Sequence, residues 1–148
     1  MRLEPAEPRR EGNVDVRELY ERGLRLRRKL FGRQSVDERM NALGDFGEPL
    51  QTIVNAYAYG DVWSRPAVPL KTKSLAMLGM TAALNRPHEF RVHMRGALAN
   101  GCNADEIREI LLLVALYCGI PAANDAHRIA HEIINERRAP EAEQGEAV

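Results

Sequence analysis

Apolar residues recur at three- and four-residue intervals along most of the chain, and no segment alternates convincingly as a strand. Val16, Leu19, Tyr20, Leu24 and Leu30 mark a first helix that starts near Asn13 or Asp15 and is stopped by Gly32. The spacing predicts a short helix over 35–43. A further helix carries Leu50, Ile53, Val54 and Tyr57 and ends at Gly60. Residues 59–69, YGDVWSRPAVP, read as the one long connection, kept extended by Pro66 and Pro69. A fourth helix is expected over 70–84. The fifth opens after Asn85 with Pro87 in its first turn and closes at Gly101.

NADE at 103–106 is a capping-box start for a sixth helix: the Asn103 side chain can take the third amide while Glu106 reaches back. That helix is apolar on all sides over 110–116, which places it at the centre of the domain or between subunits. Gly119 and Pro121 separate it from a seventh helix over 121–137. The expected product is one all-α domain, a bundle of six to seven helices over 13–138. Charged, apolar-poor segments at 1–12 and 139–148 read as flexible tails.

Length and charge narrow the function classes. A chain of 148 residues suffices for one domain that buries roughly two-thirds of its unfolded surface. With 21 basic and 21 acidic residues, nothing favours a nucleic-acid or membrane-surface partner. The basic run RLRRK at 25–29 alternates with leucines and reads as a solvated face. No apolar run approaches the roughly 20 residues of a membrane helix, and the N-terminus is not a secretory signal. Cys102 and Cys118 stand sixteen positions apart without a CxxC, which fits reduced thiols in the cytoplasm.

Several residues could carry chemistry, each with a plainer alternative. His93 shares the inward stripe of the fifth helix with Phe90, Met94 and Ala97, so it is either a core histidine satisfied by a carbonyl or a site imidazole. Glu109 enters an apolar helix one turn from its start: it is paired in a site, or it is exposed and favoured by the helix dipole. Asn124, His127 and His131 form one polar stripe on the last helix. The two histidines have the spacing of a zinc pair, but no third ligand is evident, and no metal is expected. His131 reads as exposed. Cys118 reads as an inert buried thiol unless a nucleophilic role claims it.

Taken together, RRKLFG, YAYGDVWSRPAVPLKTKSL and EFRVHMRGALANGCNADEIREILLLVALYCGIPAAN resemble the carboxymuconolactone decarboxylases over residues 19–134. The wider superfamily includes alkylhydroperoxidase-D-like proteins, whose CxxC positions are Pro121 and Asn124 here, so that dithiol chemistry is not available. The resemblance implies an all-helical, cofactor-free enzyme that assembles into a homo-oligomer, a trimer or hexamer, and acts on a small lactone acid. It implies loss of carbon dioxide from 4-carboxymuconolactone to leave the enol-lactone of 3-oxoadipate.

Under that resemblance Arg65 anchors a substrate carboxylate, Trp63 walls the ring, and His93 and Glu109 serve oxyanion and proton. Asn124 donates, Tyr117 and Cys118 line the apolar side, and His127 or Arg128 fills the last-helix position. Members of the family often carry a histidine four residues after that asparagine. Here Arg128 stands there and His127 comes one residue earlier, about 100° around the helix. SRPAVP replaces the more usual SRPGLP, and Lys73 stands where arginine is expected. Two other functions remain open: peroxide or isomerase chemistry through Cys118 or His127, and a non-catalytic helical oligomer.

Overall fold

The structure, a computed structural model, describes the backbone of residues 14–145 and the side chains of 14–138. The tail expected over 1–12 lies outside the described residues, as does the end of the C-terminal one, 146–148. The described chain is helical throughout, with no strand: α1 (Val16–Phe31), α2 (Arg33–Ile53), a π-helical segment (Val54–Trp63), α3 (Leu70–Ala83), α4 (Pro87–Ala99), α5 (Ala104–Cys118) and α6 (Ile120–Gly145).

Helix starts and stops follow the local chemistry. The Asp15 side chain accepts from the Arg17 amide at 2.9 Å and caps α1, which ends at Gly32 with φ +84°. The capping box of α5 is present in full: Asn103 Oδ1 accepts from the Glu106 amide and Glu106 Oε2 from the Asn103 amide, each at 2.9 Å. Glu106 also pairs through Oε1 with Lys71 at 2.7 Å, tying the start of α3 to that of α5.

The two helices expected over 35–43 and around 50–57 are both present within Arg33–Ile53, parted at Gly44, whose non-helical φ of +51° and ψ of −151° suit glycine. Two expectations change. Helix α2 runs directly into the π-helical segment, so Trp63 closes a helix instead of riding on a long loop, and the connection shrinks to 64–69. The last helix continues past 137 to Gly145, into the stretch expected as a tail.

Helices α3 to α6 enclose the main core, in which Leu78, Phe90, Met94, Ile107 and Leu111 are almost fully buried. The first half is built differently. α1 and the π-helical segment meet backbone to backbone at a glycine pair: a Cβ on Gly23 would collide with the Asn55 carbonyl oxygen, and one on Gly60 with the Leu19 carbonyl oxygen. Phe31 joins the halves by lying over Gly96 of α4, where a Cβ would come within 2.5 Å of its ring.

Helix α5 buries only Ile107, Leu111 and Val114 within the chain, while Leu112, Leu113 and Leu116 remain exposed. The centre of the domain is therefore not where its outer face lies. Gly23→Ala should destabilise the fold by about 3 kcal/mol, because the obstacle is backbone and cannot turn aside. Denaturant unfolding at fixed protein concentration measures it, and a loss under 1 kcal/mol would refute the close approach.

Candidate functional site

The side chains that converge do so on the face that α1, α2 and the π-helical segment turn toward α4. Arg27 of α1 is 8% exposed, so the reading of the basic run as a solvated face fails at this position. Its Nη1 donates to Gln51 Oε1 at 2.7 Å and to the fully buried Asn55 Oδ1 at 3.1 Å, and its guanidinium lies over the Tyr59 ring. Amide oxygens and a ring face thus hold a cation that no carboxylate pairs among the described residues. Burial lowers the Arg27 pKa below its ordinary value and raises that of Tyr59.

Tyr59 begins a closed circuit of ring contacts. It stacks on Trp63 at 5.6 Å between centroids, and Trp63 stacks on His93 at 6.0 Å and 11°. Phe31 meets His93 edge-on at 5.5 Å and Tyr59 edge-on at 5.8 Å. His93 is 9% exposed, and burial first, then the charge of Arg39, lowers its pKa to about 4, against a smaller raising effect of Glu89. The imidazole is neutral at pH 7.

No described residue hydrogen-bonds either ring nitrogen of His93. Every fully buried side-chain nitrogen among the described residues has a partner, so the two His93 nitrogens are not wholly enclosed. The carbonyl-capped alternative for this histidine does not hold.

Cations surround the rings. Arg39 lies over the Phe31 ring and hydrogen-bonds only Ser35, through its carbonyl at 3.0 Å and its hydroxyl at 3.2 Å. Arg22 Nε donates to the Gly60 carbonyl at 2.8 Å. Neither makes an ion pair among the described residues. On the other side of Trp63 a cavity of about 430 Å³ is lined by Arg22, Leu26, Trp63, Arg65 and Pro66. Arg65 is exposed there and forms a two-bond fork with Asp61, both at 3.0 Å. Phe31, Ser35, Arg39 and Val92 line a smaller cavity of about 110 Å³.

Trp63 thus connects two of the expected residues, stacking on His93 and sharing the larger cavity with Arg65, and the remaining expected residues lie elsewhere. Glu109 is exposed, as its plainer alternative had it. Asn124 is exposed, and Arg128 is exposed and paired with Asp125 at 3.4 Å and Glu132 at 3.6 Å. Tyr117 is 80% exposed and Cys118 is exposed, so the thiol expected to be buried is the outer one, while Cys102 is enclosed. His127 Nδ1 bonds the Ala123 carbonyl at 2.8 Å, and its side chain lines a separate groove with His131. None of these side chains touches His93 or Trp63 within the chain.

Sequence reading missed Phe31, Arg39, Tyr59 and Arg27. For Arg27 a signal existed, since it falls on the same stripe as Leu19, Gly23, Leu24 and Leu30, all buried in α1.

Comparison with known proteins places this geometry in context. Residues 48–132 match the model of the carboxymuconolactone decarboxylase family. A 4-carboxymuconolactone decarboxylase of Acinetobacter baylyi is 37% identical over 117 residues, covering 79% of this chain and 87% of its own. A nitrosuccinic acid decarboxylase of Metarhizium robertsii is 33% identical over 120 residues, covering 81% of this chain and 84% of its own.

A neutral, desolvated His93 has a measurable signature. Trp63 is the sole tryptophan, and a stacked imidazolium quenches indole emission more than imidazole does. Emission should therefore titrate near pH 4, and His93→Gln should abolish the step. The unfolded chain holds this proton up to about pH 6.5, so the contribution of His93 to stability is full above that and is lost as pH falls to about 4. An emission midpoint at 6.5 would contradict the burial.

Proposed function

The chain belongs to the carboxymuconolactone decarboxylase family, and we propose that it removes carbon dioxide from 4-carboxymuconolactone or a related lactone acid, with no cofactor. The observation that carries the reading is a neutral, desolvated imidazole stacked on Trp63 and flanked by Arg39, which no carboxylate pairs among the described residues. A site of this kind receives anions. The arginines supply charge-assisted bonds to carboxylates, each contributing roughly 1.5–3 kcal/mol, and the rings supply a planar apolar wall.

The chemistry needs little else. As the carboxylate departs, its carbon–carbon bond breaks and the electron pair delocalises through the ring double bond onto the lactone carbonyl oxygen. The His93 N–H donates to that oxyanion. One proton then reaches the ring carbon beside the carbonyl, so that a carboxylate and a proton become carbon dioxide and a carbon–hydrogen bond. A bound dianion favours imidazolium and raises the His93 pKa from its empty-site value of about 4, so the proton is recruited once substrate is present.

Nitrosuccinic acid, named for the second relative, presents the same logic with a nitro group as the electron sink. The common substrate feature is a carboxylate beside an acceptor whose oxygen takes the charge, and the choice of acceptor is the specificity question. A role in aromatic-acid catabolism follows from the lactone acid reading. No helix among the described residues is long and apolar enough to cross a membrane, and both cysteines are free, which supports a cytoplasmic enzyme.

A homo-oligomer, trimer or hexamer, completes the proposal. Leu116, Tyr117 and Ile120 are 73%, 80% and 60% exposed at the α5–α6 corner, an apolar patch that a second copy would cover. Glu109 and Asn124 lie on the same two helices, so assembly is the route by which they would reach a site.

Purified protein should consume 4-carboxymuconolactone and release carbon dioxide with no added metal or nucleotide, followed by loss of substrate and gas evolution. A well-folded protein inactive on both this lactone and nitrosuccinate would sink the proposal. His93→Ala and Arg65→Ala should each lower kcat/KM at least tenfold, about 1.4 kcal/mol of transition-state stabilisation. Wild-type rates from both variants would remove the residue assignment and leave the reaction. Leu116→Glu should shift the mass in solution toward the monomer, read by light scattering; an unchanged mass would argue against this corner as the interface.

A further inference from the structure

The turn that carries Trp63 and Arg65 is held by a residue outside the site as described so far. The π-helical segment ends at Trp63, where the Val62 carbonyl accepts from the Arg65 amide at 3.4 Å. Lys73, in the first turn of α3, reaches back across the connection. Its Nζ donates to the carbonyl oxygens of Val62 at 3.1 Å, Trp63 at 2.9 Å and Arg65 at 2.7 Å. An ammonium has three protons, and all three are used on one turn of backbone. No carboxylate pairs with it among the described residues, and a cation at a helix C-terminus also complements the dipole.

The point from which Lys73 acts is itself fixed. Its own amide closes the first turn of α3 on the Pro69 carbonyl at 3.0 Å. Ser74, next along, is buried and bonded through its hydroxyl to Asn100 Nδ2 of the residue capping α4, at 3.0 Å. Lys71 is tied to Glu106 at the start of α5. The ammonium therefore transmits the position of the α3–α5 core to the backbone of Trp63 and Arg65, on the far side of the connection. Ser64 adds a fourth tie from within the turn, donating its hydroxyl to the Tyr59 carbonyl at 2.6 Å.

We propose that Lys73 is a positioning residue: a three-carbonyl clamp that holds Trp63 in its stack on His93 and sets where Arg65 meets substrate. All three of its hydrogen bonds go to backbone carbonyls, so it acts on Trp63 and Arg65 through the backbone it binds. The proposal rests on the decarboxylase reading for its kinetic consequence alone, because the geometry of Trp63 can be observed without substrate.

The test compares Lys73→Met, which keeps the stem and removes the donors, with Lys73→Arg, which keeps a cation with several donors. Lys73→Met should shift the emission of the sole tryptophan to the red, at least double its quenching constant for acrylamide, and lower kcat/KM at least tenfold. Lys73→Arg should return emission and quenching most of the way to wild type. Wild-type emission and quenching in Lys73→Met would overturn the clamp, as would Lys73→Arg behaving like Lys73→Met. Should Lys73→Met fail to fold, Lys73→Gln gives the same reading, since its shorter side chain loses the reach. Altered quenching in a protein whose wild type has no decarboxylase activity keeps the clamp and sinks the reaction.

Discussion

Everything in the site depends on α1 and the π-helical segment touching at Gly23 and Gly60. With any side chain at either position the backbones would part, and the residues they carry would no longer face α4 together. The contact lets Arg22 reach the Gly60 carbonyl and lets Arg27 enter beneath Tyr59, where Gln51 and Asn55 wait for it. Those bonds fix the pitch of the segment, and so the line along which Asn55, Tyr59 and Trp63 project. π-helical stretches are uncommon and concentrate at functional positions, and this one aligns a polar anchor with two aromatic rings.

The electrostatics follow from the packing. The rings of Phe31 and Trp63 cover His93, and desolvation, not any charged partner, is the main reason its imidazole stays neutral. Buried Arg27 and ring-stacked Arg39 put positive charge on the same side without donating it to a carboxylate. Under the proposed function, an anion arriving there would meet the buried Arg27 and the half-buried Arg39 beside a neutral imidazole. Among the described residues Arg27 and Arg39 have no carboxylate partner, whereas Arg65 is forked to Asp61.

Much of the fold was legible because helix periodicity and caps are local signals. Gly32, Pro87 and the Asn103 capping box each mark a boundary through one residue's own chemistry. The π-helical segment was not legible, since an extra residue per turn leaves no distinct apolar pattern, and the prolines after it suggested an earlier loop. In the site, Trp63, Arg65 and His93 could be named from the motifs that resemble the decarboxylases. Arg27 was hidden by its charged neighbours, because four of the five residues in RLRRK are basic and only the register of the stripe marks the buried one. Glu109, Asn124 and Arg128 show the converse: residue type and motif position do not say which way a helix turns its face within one chain.

The Glu106 carboxylate gives the molecule an asymmetry toward acid. One oxygen serves as the reciprocal half of the α5 cap and the other as the partner of Lys71, and both ties hold its pKa below the usual carboxylate value. A depressed carboxylate contributes its stability at higher pH and loses it on protonation. A single proton there would release the helix start and the α3–α5 link at once. The first region to loosen would be the corner from which the Trp63 turn is held.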